Sequence, residues 1–218
     1  MLTVLIISVT SIISFVAFNN NALTNKLIFY PAEIKNGGWY RFITYGVLHA
    51  DLTHLIFNMF TLYFFGSYIE DFFKTILGTR QGSLWYIVLY ISALVISIFP
   101  TYIKESNNSF YRSLGASGAV SAIVFAYILI NPMSFMGMMF IPVMLPAFLF
   151  GIIYVIISVY LEKKQAGNIN HTAHIAGGIY GMAFTIILFA LLANLNILQH
   201  FTDQIQISTI RDIIHIGY

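Results

Sequence analysis

Six long apolar runs constrain this chain more than any other feature of its sequence. A helix that crosses the hydrocarbon layer of a bilayer needs about 20 mainly apolar residues, with about 17 as a working minimum. The candidate segments are residues 2–18, 52–72, 84–102, 117–130, 143–161 and 174–193. We therefore predict an all-α membrane protein, a bundle of six transmembrane helices.

The composition supports this prediction. The chain has 218 residues, of which 59% are hydrophobic and 8% are charged, whereas a soluble domain carries roughly 25% charged residues. Cysteine is absent, which excludes disulfides and thiolate metal sites. The net charge of +2 is too small to suggest a nucleic-acid partner. We expect the lipid bilayer to be a partner and expect no metal or cofactor, and the sequence leaves the oligomeric state open.

The ends of the chain and its first connection complete the predicted organisation. No Lys or Arg precedes the first apolar run and no small-x-small cleavage site follows it, so we interpret it as a retained span rather than a signal peptide. Residues 1–197 then form one domain, followed by a tail, 198–218, that is a candidate surface helix. The long connection 19–51 mixes apolar residues with Trp39, Tyr40 and Arg41, which suits a segment in the headgroup region.

Unusual polar residues stand at the starts of three predicted spans. In an alternating topology the second, fourth and sixth spans run in the same direction, so their starts share one face of the membrane. His54 and Asn58 lie in the first turns of the second span, Ser117 opens the fourth and His174 opens the sixth. Polar groups at membrane depth are costly and mark functional sites. The pattern predicts one polar site on one side of the bundle.

The depth of that site follows from the length of the fourth run. Residues 117–130 rise only about 20 Å at 1.5 Å per residue, which is less than the roughly 30 Å of hydrocarbon. If the far end of this helix reaches the opposite interface, its start lies several ångströms below the near surface.

These residue types favour nucleophilic catalysis. A serine hydroxyl needs an adjacent base, and the neutral ring of His174 can accept its proton near pH 7. The glycines beside Ser117 allow a close backbone approach. Unpaired amides at a helix start favour a developing oxyanion, and His54 and Asn58 share a helix face from which both can donate to it.

No carboxylate is expected to orient the base. Glu70 and Asp71 lie 16 and 17 residues after His54, about 24 Å along a helix, at the other face of the membrane. Asp51 is on the correct side, but its position suits the N-cap of the second span. We therefore predict a Ser–His dyad.

With these residues identified, the chain resembles the rhomboid family of intramembrane serine proteases. The resemblance spans residues 39–181 and rests on four motifs taken together: Trp39-Tyr40-Arg41, His49-x4-His54-x3-Asn58, Gly115-x-Ser117-Gly118 and Ala173-His174-x2-Gly177-x3-Gly181. It implies that Ser117 is the nucleophile and His174 the general base. It also implies that His54, Asn58 and the Ser117 backbone form the oxyanion hole. The supporting residues it implies are His49, Gly115, Gly118, Gly177 and Gly181.

The resemblance also implies a substrate class and an orientation. Such proteases cut single-span membrane proteins near the outer end of the transmembrane helix, and span five with loop five is the expected gate. We expect a bacterial cell membrane with the site opening outward. The positive-inside rule does not support this orientation. Only three Lys or Arg residues would lie inside, against seven outside: Lys26, Lys35, Arg41, Lys104, Arg112, Lys163 and Lys164.

One position departs from the family pattern. Family members often carry an aromatic residue one turn after the nucleophile, packed on the base, and here that position is Ser121. Tyr180 and Phe125 are the candidates to replace it. His171 is a competing candidate for the base, although it lacks the glycine pattern that follows His174.

Three other functions remain open from the sequence. The first is a catalytically inactive rhomboid-like protein that binds transmembrane helices. The second is a metalloprotease using the four histidines His49, His54, His171 and His174, although no HExxH motif is present. The third is a small transporter, for which polar residues near the midplane would be expected.

Overall fold

The computed structural model describes residues 1–137, 143–164 and 169–216, and helices dominate them. Its α-helices are α1 Leu2–Phe18, α2 Asn21–Leu27, α3 Pro31–Lys35, α4 Arg41–Thr44, α5 Leu52–Thr61, α6 Ser67–Leu77, α7 Thr79–Glu105, α8 Ser117–Ile130, α9 Ala147–Lys164, α10 His171–Leu192 and α11 Ile197–Gln204. Short 3-10 turns cover Tyr45–Val47 and Ile210–Asp212. Three short strands, β1 Phe135–Gly137, β2 Val143–Pro146 and β3 His215–Ile216, form an antiparallel sheet in the order β1-β2-β3.

Helix α8 is the centre of the bundle. Eleven of its fourteen residues are buried, so it is apolar on all sides, as a helix enclosed by others must be. Its closest neighbour is α10. A side chain added at Gly177 would collide with the carbonyl of Gly118, and one added at Gly181 would collide with the carbonyl of Ala122. The missing side chains therefore let the two backbones touch, as small residues do in membrane helix pairs.

Three helical stretches are long and apolar enough to cross a membrane among the described residues: Leu52–Leu77, Thr79–Glu105 and His171–Leu192. The first of these joins α5 to α6 through one π-helical segment, Leu62–Gly66. Two shorter apolar helices, α1 and α8, match the first and fourth predicted runs residue for residue. The mainly helical, membrane-type fold is confirmed, and the count of six spans stays a prediction.

The first connection is folded rather than extended. It contains α2, α3, α4 and the first 3-10 turn. Arg41 is buried and donates from Nη1 to the carbonyls of Asn25 and Ile28, each at 2.8 Å. A bridge between Phe29 and Ser113 ties this connection to the residues just before α8. The connection therefore braces the side of the bundle on which α8 begins.

Several predicted boundaries were wrong. The second and third runs, predicted at 52–72 and 84–102, extend as helical stretches over Leu52–Leu77 and Thr79–Glu105. Residues 143–146 belong to β2, which pairs with β1, so α9 begins only after Pro146. Helix α10 begins at His171, three residues earlier than predicted, because the Asn170 side chain caps it by accepting from the Ala173 amide at 3.0 Å. The structure also contains a three-stranded sheet that was not predicted, so the prediction of an all-α fold was incomplete.

The predicted tail begins with α11, which starts at Ile197 and packs against the end of α8. His200 Nε2 lies 3.2 Å from the Ile130 carbonyl, and Gln204 Nε2 donates to the same oxygen at 2.9 Å. These contacts satisfy a carbonyl that the end of α8 leaves without a helical partner.

A buried carboxylate fastens the start of α1. Glu70 on α6 accepts from the Leu2 amide at 2.9 Å, the Thr3 amide at 2.8 Å and the Thr3 hydroxyl at 2.7 Å. It also forms an ion pair with Lys74, and Tyr86 of α7 bonds the same Thr3 hydroxyl at 2.8 Å. Negative charge at a helix N-terminus is favourable, so Glu70 joins α1, α6 and α7 at the end of the bundle away from Ser117.

The contact between α8 and α10 generates a stability prediction. Replacing Gly181 by Val should lower the free energy of unfolding by roughly 1–3 kcal/mol, the usual cost of overpacking, because the new Cβ meets the Ala122 carbonyl. The matched control is Ala183→Val, an exposed position on the same helix. Thermal unfolding in detergent would measure both, and equal midpoints for the two variants would contradict the prediction.

Candidate active site

Ser117 and His174 meet at the shared face of α8 and α10. The Ser117 Oγ lies 2.7 Å from the His174 Nε2. Ser117 opens α8 and His174 lies in the first turn of α10, and both side chains remain partly accessible. When Nε2 is unprotonated, the serine hydroxyl donates to it, which is the arrangement that activates a serine nucleophile.

The turn before α8 shapes the space in front of Ser117. Gly115 has a φ of +116°, a conformation that residues with a side chain rarely adopt. A Cβ at Gly115 would lie 2.8 Å from His54 Cε1, 3.1 Å from His54 Nε2 and 3.9 Å from Ser117 Oγ. The His54 ring and the Ser117 hydroxyl therefore face the same small space, which a side chain at residue 115 would fill.

The hydrogen bonds of α5 orient both predicted oxyanion donors. His54 Nδ1 accepts from the Ala50 amide at 3.4 Å, so a neutral His54 ring carries its proton on Nε2, the nitrogen near Gly115. Asn58 is buried and donates from Nδ2 to the His54 carbonyl at 3.0 Å. A second proton on Nδ2 remains for another acceptor. The amides of the first turn of α8 lack helical partners as well.

His49 connects this site to α1. Its Nδ1 lies 3.0 Å from the Ser14 Oγ, and the Ser14 hydroxyl donates to the Val47 carbonyl at 2.8 Å. The His49 ring packs edge-on against His54, with ring centroids 4.9 Å apart. Burial, reinforced by His54, lowers the pKa of His49 to about 3. His49 is therefore neutral at physiological pH and supports His54 by contact.

Glycines allow α8, α10 and α7 to converge around the serine. Gly118 follows Ser117 and faces the Ser97 side chain of α7, with which a Cβ at residue 118 would collide. Gly177 and Gly181 lie against α8 in the way described above. These contacts seat the start of α10 beside the start of α8, which sets the distance between the two catalytic candidates.

The ring that packs on His174 comes from α9. Tyr154 stacks on the imidazole with ring centroids 6.4 Å apart and an angle of 21° between the planes. The Tyr154 hydroxyl lies 3.2 Å from the Ser121 Oγ. The expectation that Tyr180 or Phe125 fills this position was wrong: Tyr180 donates to Ser92 of α7, and Phe125 packs against Tyr154 itself.

His171 lies on the other side of the base. Its ring is edge-on to His174 with centroids 5.9 Å apart, and it is buried with neither ring nitrogen bonded within the described part of the chain. No hydrogen bond from His174 to a carboxylate is found among residues 1–137, 143–164 and 169–216. Within the same ranges, no three His, Asp or Glu side chains are grouped to hold a metal ion. This geometry gives the metalloprotease alternative no support.

Sequence reasoning missed three residues that shape the site. Tyr154 carries no motif, and although α9 directly precedes α10, the sequence does not specify which face of α9 meets His174. Ser14 sits inside the first apolar run, where a serine usually bonds its own helix. Asn170 could have been found, because an Asn just before an apolar helix is a preferred N-cap. The predicted gate includes residues 165–168, which lie outside the described residues.

Comparison with known proteins gives a consistent result. A family model described as the Rhomboid domain matches residues 36–191. The chain is 29% identical over 170 residues to "RHOMBOID-like protein 12, mitochondrial" of Arabidopsis thaliana, covering 73% of this chain and 49% of that protein. It is 30% identical over 99 residues to "Putative rhomboid protease YdcA" of Bacillus subtilis (strain 168), covering 45% of each.

A third relative is mammalian. "Presenilin-associated rhomboid-like protein, mitochondrial" of Mus musculus is 31% identical over 141 residues, which cover 62% of this chain and 34% of that protein. The chain thus spans half or less of the length of these three relatives. Two of the three are named mitochondrial, so they do not support the expected bacterial location.

The buried His49 generates a pH prediction. Its pKa is lowered to about 3 in the folded protein, against about 6.5 for a free histidine. Between these values the unfolded chain binds more protons, so the stability from His49 is complete above about pH 6.5 and declines as the pH falls.

A change from pH 7 to pH 5 should lower the free energy of unfolding of wild type by roughly 2 kcal/mol more than that of a His49→Gln variant. Thermal midpoints in detergent would measure the difference, with His200→Gln as the exposed-histidine control. An equal pH dependence in all three proteins would refute the prediction.

Proposed function

Because the chain belongs to the rhomboid family, we propose that it is an intramembrane serine endopeptidase. It is an integral membrane protein, and its proposed substrates are single-span membrane proteins cut near the outer end of the transmembrane helix. The observation that carries the proposal is the 2.7 Å contact between Ser117 Oγ and His174 Nε2. The two side chains come from different helices, Ser117 from α8 and His174 from α10.

The first half of the reaction acylates the serine. His174 Nε2 takes the Ser117 proton as Oγ attacks the scissile carbonyl carbon, and the carbonyl oxygen becomes an oxyanion. The protonated imidazole then gives that proton to the leaving amine as the C–N bond breaks. The substrate's N-terminal part remains as an ester on Ser117, and the other fragment leaves as a free amine.

The second half of the reaction hydrolyses the ester. Water gives a proton to His174 as its oxygen attacks the acyl carbon, and His174 returns the proton to Ser117 Oγ when the ester bond breaks. The products are a carboxylic acid and the restored dyad. The partial accessibility of Ser117 and His174 supports this step, because water must reach both.

Three donors are proposed to hold the oxyanion in both halves. They are the backbone amide of Ser117 at the start of α8, the Nε2 proton of His54 and the second Nδ2 proton of Asn58. The hydrogen bonds that fix His54 and Asn58 from behind support this assignment, because donors that are already oriented need no reorganisation when charge develops.

The full topology remains part of the proposal. Six spans would place the starts of α5, α8 and α10 on one face, and the N-terminus on the opposite, inner side. The residues around Ser117 would then open outward, with the connection 19–51 lying at the interface. The active-site contacts support a shared face for the three helix starts. The bacterial cell membrane remains a prediction that the relatives above do not support.

The proposed mechanism predicts that each dyad residue is essential. Ser117→Ala and His174→Ala should each abolish cleavage of a reconstituted single-span substrate, because no nucleophile or no base remains. A fluorophosphonate that reacts with activated serines should label wild type and neither variant. Unchanged thermal midpoints would show that both variants fold.

The same assay tests the inactive alternative. A folded wild type that resists labelling and leaves the substrate intact would favour a rhomboid-like protein that binds transmembrane helices without cutting them. Cleavage by either variant at the wild-type rate would exclude the dyad.

The oxyanion assignment predicts a different kinetic effect for Asn58. Asn58→Ala should lower kcat by about 100- to 1,000-fold, as loss of one oxyanion donor does elsewhere, with little change in KM because the charge exists only in the transition state. The control is Asn25→Ala, since Asn25 contributes only its backbone carbonyl to Arg41. A rise in KM at constant kcat would make Asn58 a substrate contact instead.

A further inference from the structure

We infer that Tyr154 is the positioning residue for the base, holding the His174 imidazole in the orientation that reaches Ser117. The inference rests on the proposed function and names a part of that mechanism. It assigns to α9 a role that the family pattern gives to an aromatic residue one turn after the nucleophile.

The contacts of Tyr154 suit this role. Its ring faces the imidazole at 6.4 Å and 21°, within the 4.5–7 Å range of stabilising ring pairs. Its hydroxyl is held at 3.2 Å by Ser121, so the ring is fixed at its far end as well as at its face. Rotation of the imidazole out of line with Ser117 would break the stack.

Ser121 makes this arrangement possible. It lies one helical turn after Ser117 on α8 and is buried. A large aromatic side chain at residue 121 would occupy the space into which Tyr154 reaches. The small hydroxyl side chain instead leaves that space open and supplies the bonding partner for the tyrosine. Relative to the family pattern, two positions therefore differ together: a serine replaces the aromatic residue on α8, and a tyrosine on α9 supplies the ring.

The base requires such support because a carboxylate does not provide it. In a triad, an acidic residue bonded to the second ring nitrogen fixes the tautomer and orientation of the histidine. Among the described residues His174 has no such bond. Its ring is bounded instead by the face of Tyr154 and the edge of His171. Of these two neighbours, only Tyr154 is itself anchored by a side-chain hydrogen bond.

Because Tyr154 belongs to α9, the orientation of the His174 ring depends on where α9 lies against the bundle. Only three residues of this helix are buried, namely Ala147, Gly151 and Ser158. Near its end, Glu162 pairs with Lys104 of α7 at 2.9 Å and accepts from the Thr172 amide of α10 at 3.3 Å. At its start, the Ala147 and Phe148 amides donate to the carbonyls of Ser134 and Pro132 at 2.8 and 3.0 Å. A helix that is lightly buried along its length and held at its two ends therefore carries the ring on which the base rests.

Tyr154 also packs against Phe125 and Phe150, so the test must separate positioning from stability. The experiment compares four full-length proteins in liposomes: wild type, Tyr154→Leu, Tyr154→Phe and Tyr160→Leu. Tyr160 is an exposed tyrosine on the same helix and serves as the matched control. The measurements are kcat and KM on a single-span substrate, the rate of fluorophosphonate labelling and the thermal midpoint.

Positioning predicts a specific pattern. Tyr154→Leu should lower kcat and the labelling rate together by about 10- to 100-fold, the scale of a small misplacement of a catalytic group, with KM within about twofold of wild type. Tyr154→Phe keeps the ring but loses the hydroxyl that Ser121 holds, so its rate should fall between those of wild type and Tyr154→Leu. Tyr160→Leu should match wild type in every measurement.

Several results would overturn the inference. Wild-type kcat in folded Tyr154→Leu would do so, as would equal losses in the Leu and Phe variants, since the ring would then not matter. If Tyr154→Leu fails to fold, Tyr154→Met has about the same volume as Leu but is longer and unbranched, so it adapts better to the space left by the ring. The same outcomes then apply. A wild type that neither cleaves nor labels would overturn the proposed function and this inference with it, whereas an active wild type matched by Tyr154→Leu overturns the inference alone.

Discussion

The direct backbone contact between α8 and α10 is the constraint on which the rest of the structure depends. Gly177 and Gly181 have no side chain to hold the helices apart, and this separation sets the 2.7 Å distance between Ser117 and His174. A side chain at either glycine would push α10 away from α8, and Ser117 and His174 would then be too far apart for a hydrogen bond. The close packing of α8 against α10 and the distance between Ser117 and His174 therefore both depend on Gly177 and Gly181.

Around that contact, the polar groups of the site are held both by their own segment and by other helices. His54 is oriented by the Ala50 amide, and His49 is bonded to Ser14 of α1. Tyr154 of α9 lies on the base. A membrane interior offers little water to satisfy such groups, so partners within the protein stabilise them. The geometry of the site therefore depends on several helices of the bundle, although the proposed nucleophile and base come from only two, α8 and α10.

Much of the helical architecture and most of the site follow from local sequence. The apolar runs predict α1 and α8 to the residue, and Ser117, His174, His54 and Asn58 stand out because polar residues open apolar helices. Local sequence does not specify which face of one helix meets another, even when the two helices are consecutive in the chain. Tyr154 looks like any aromatic residue of an apolar helix. Strands β1 and β2 are short, and β2 lies within an apolar run that also predicts a helix, so their pairing has no clear signal in the sequence.

Glu70 has a consequence for how the protein is made. The Leu2 amide and its partner on Glu70 are 68 residues apart in the chain, and at 5–20 residues per second a ribosome needs on the order of 3 to 14 s to join them. Until then the first amides of α1 have no protein acceptor and must stay in contact with water. The contacts with Glu70 therefore couple α1 to α6: the first amides of α1 exchange water for a protein acceptor only when α6 lies beside them.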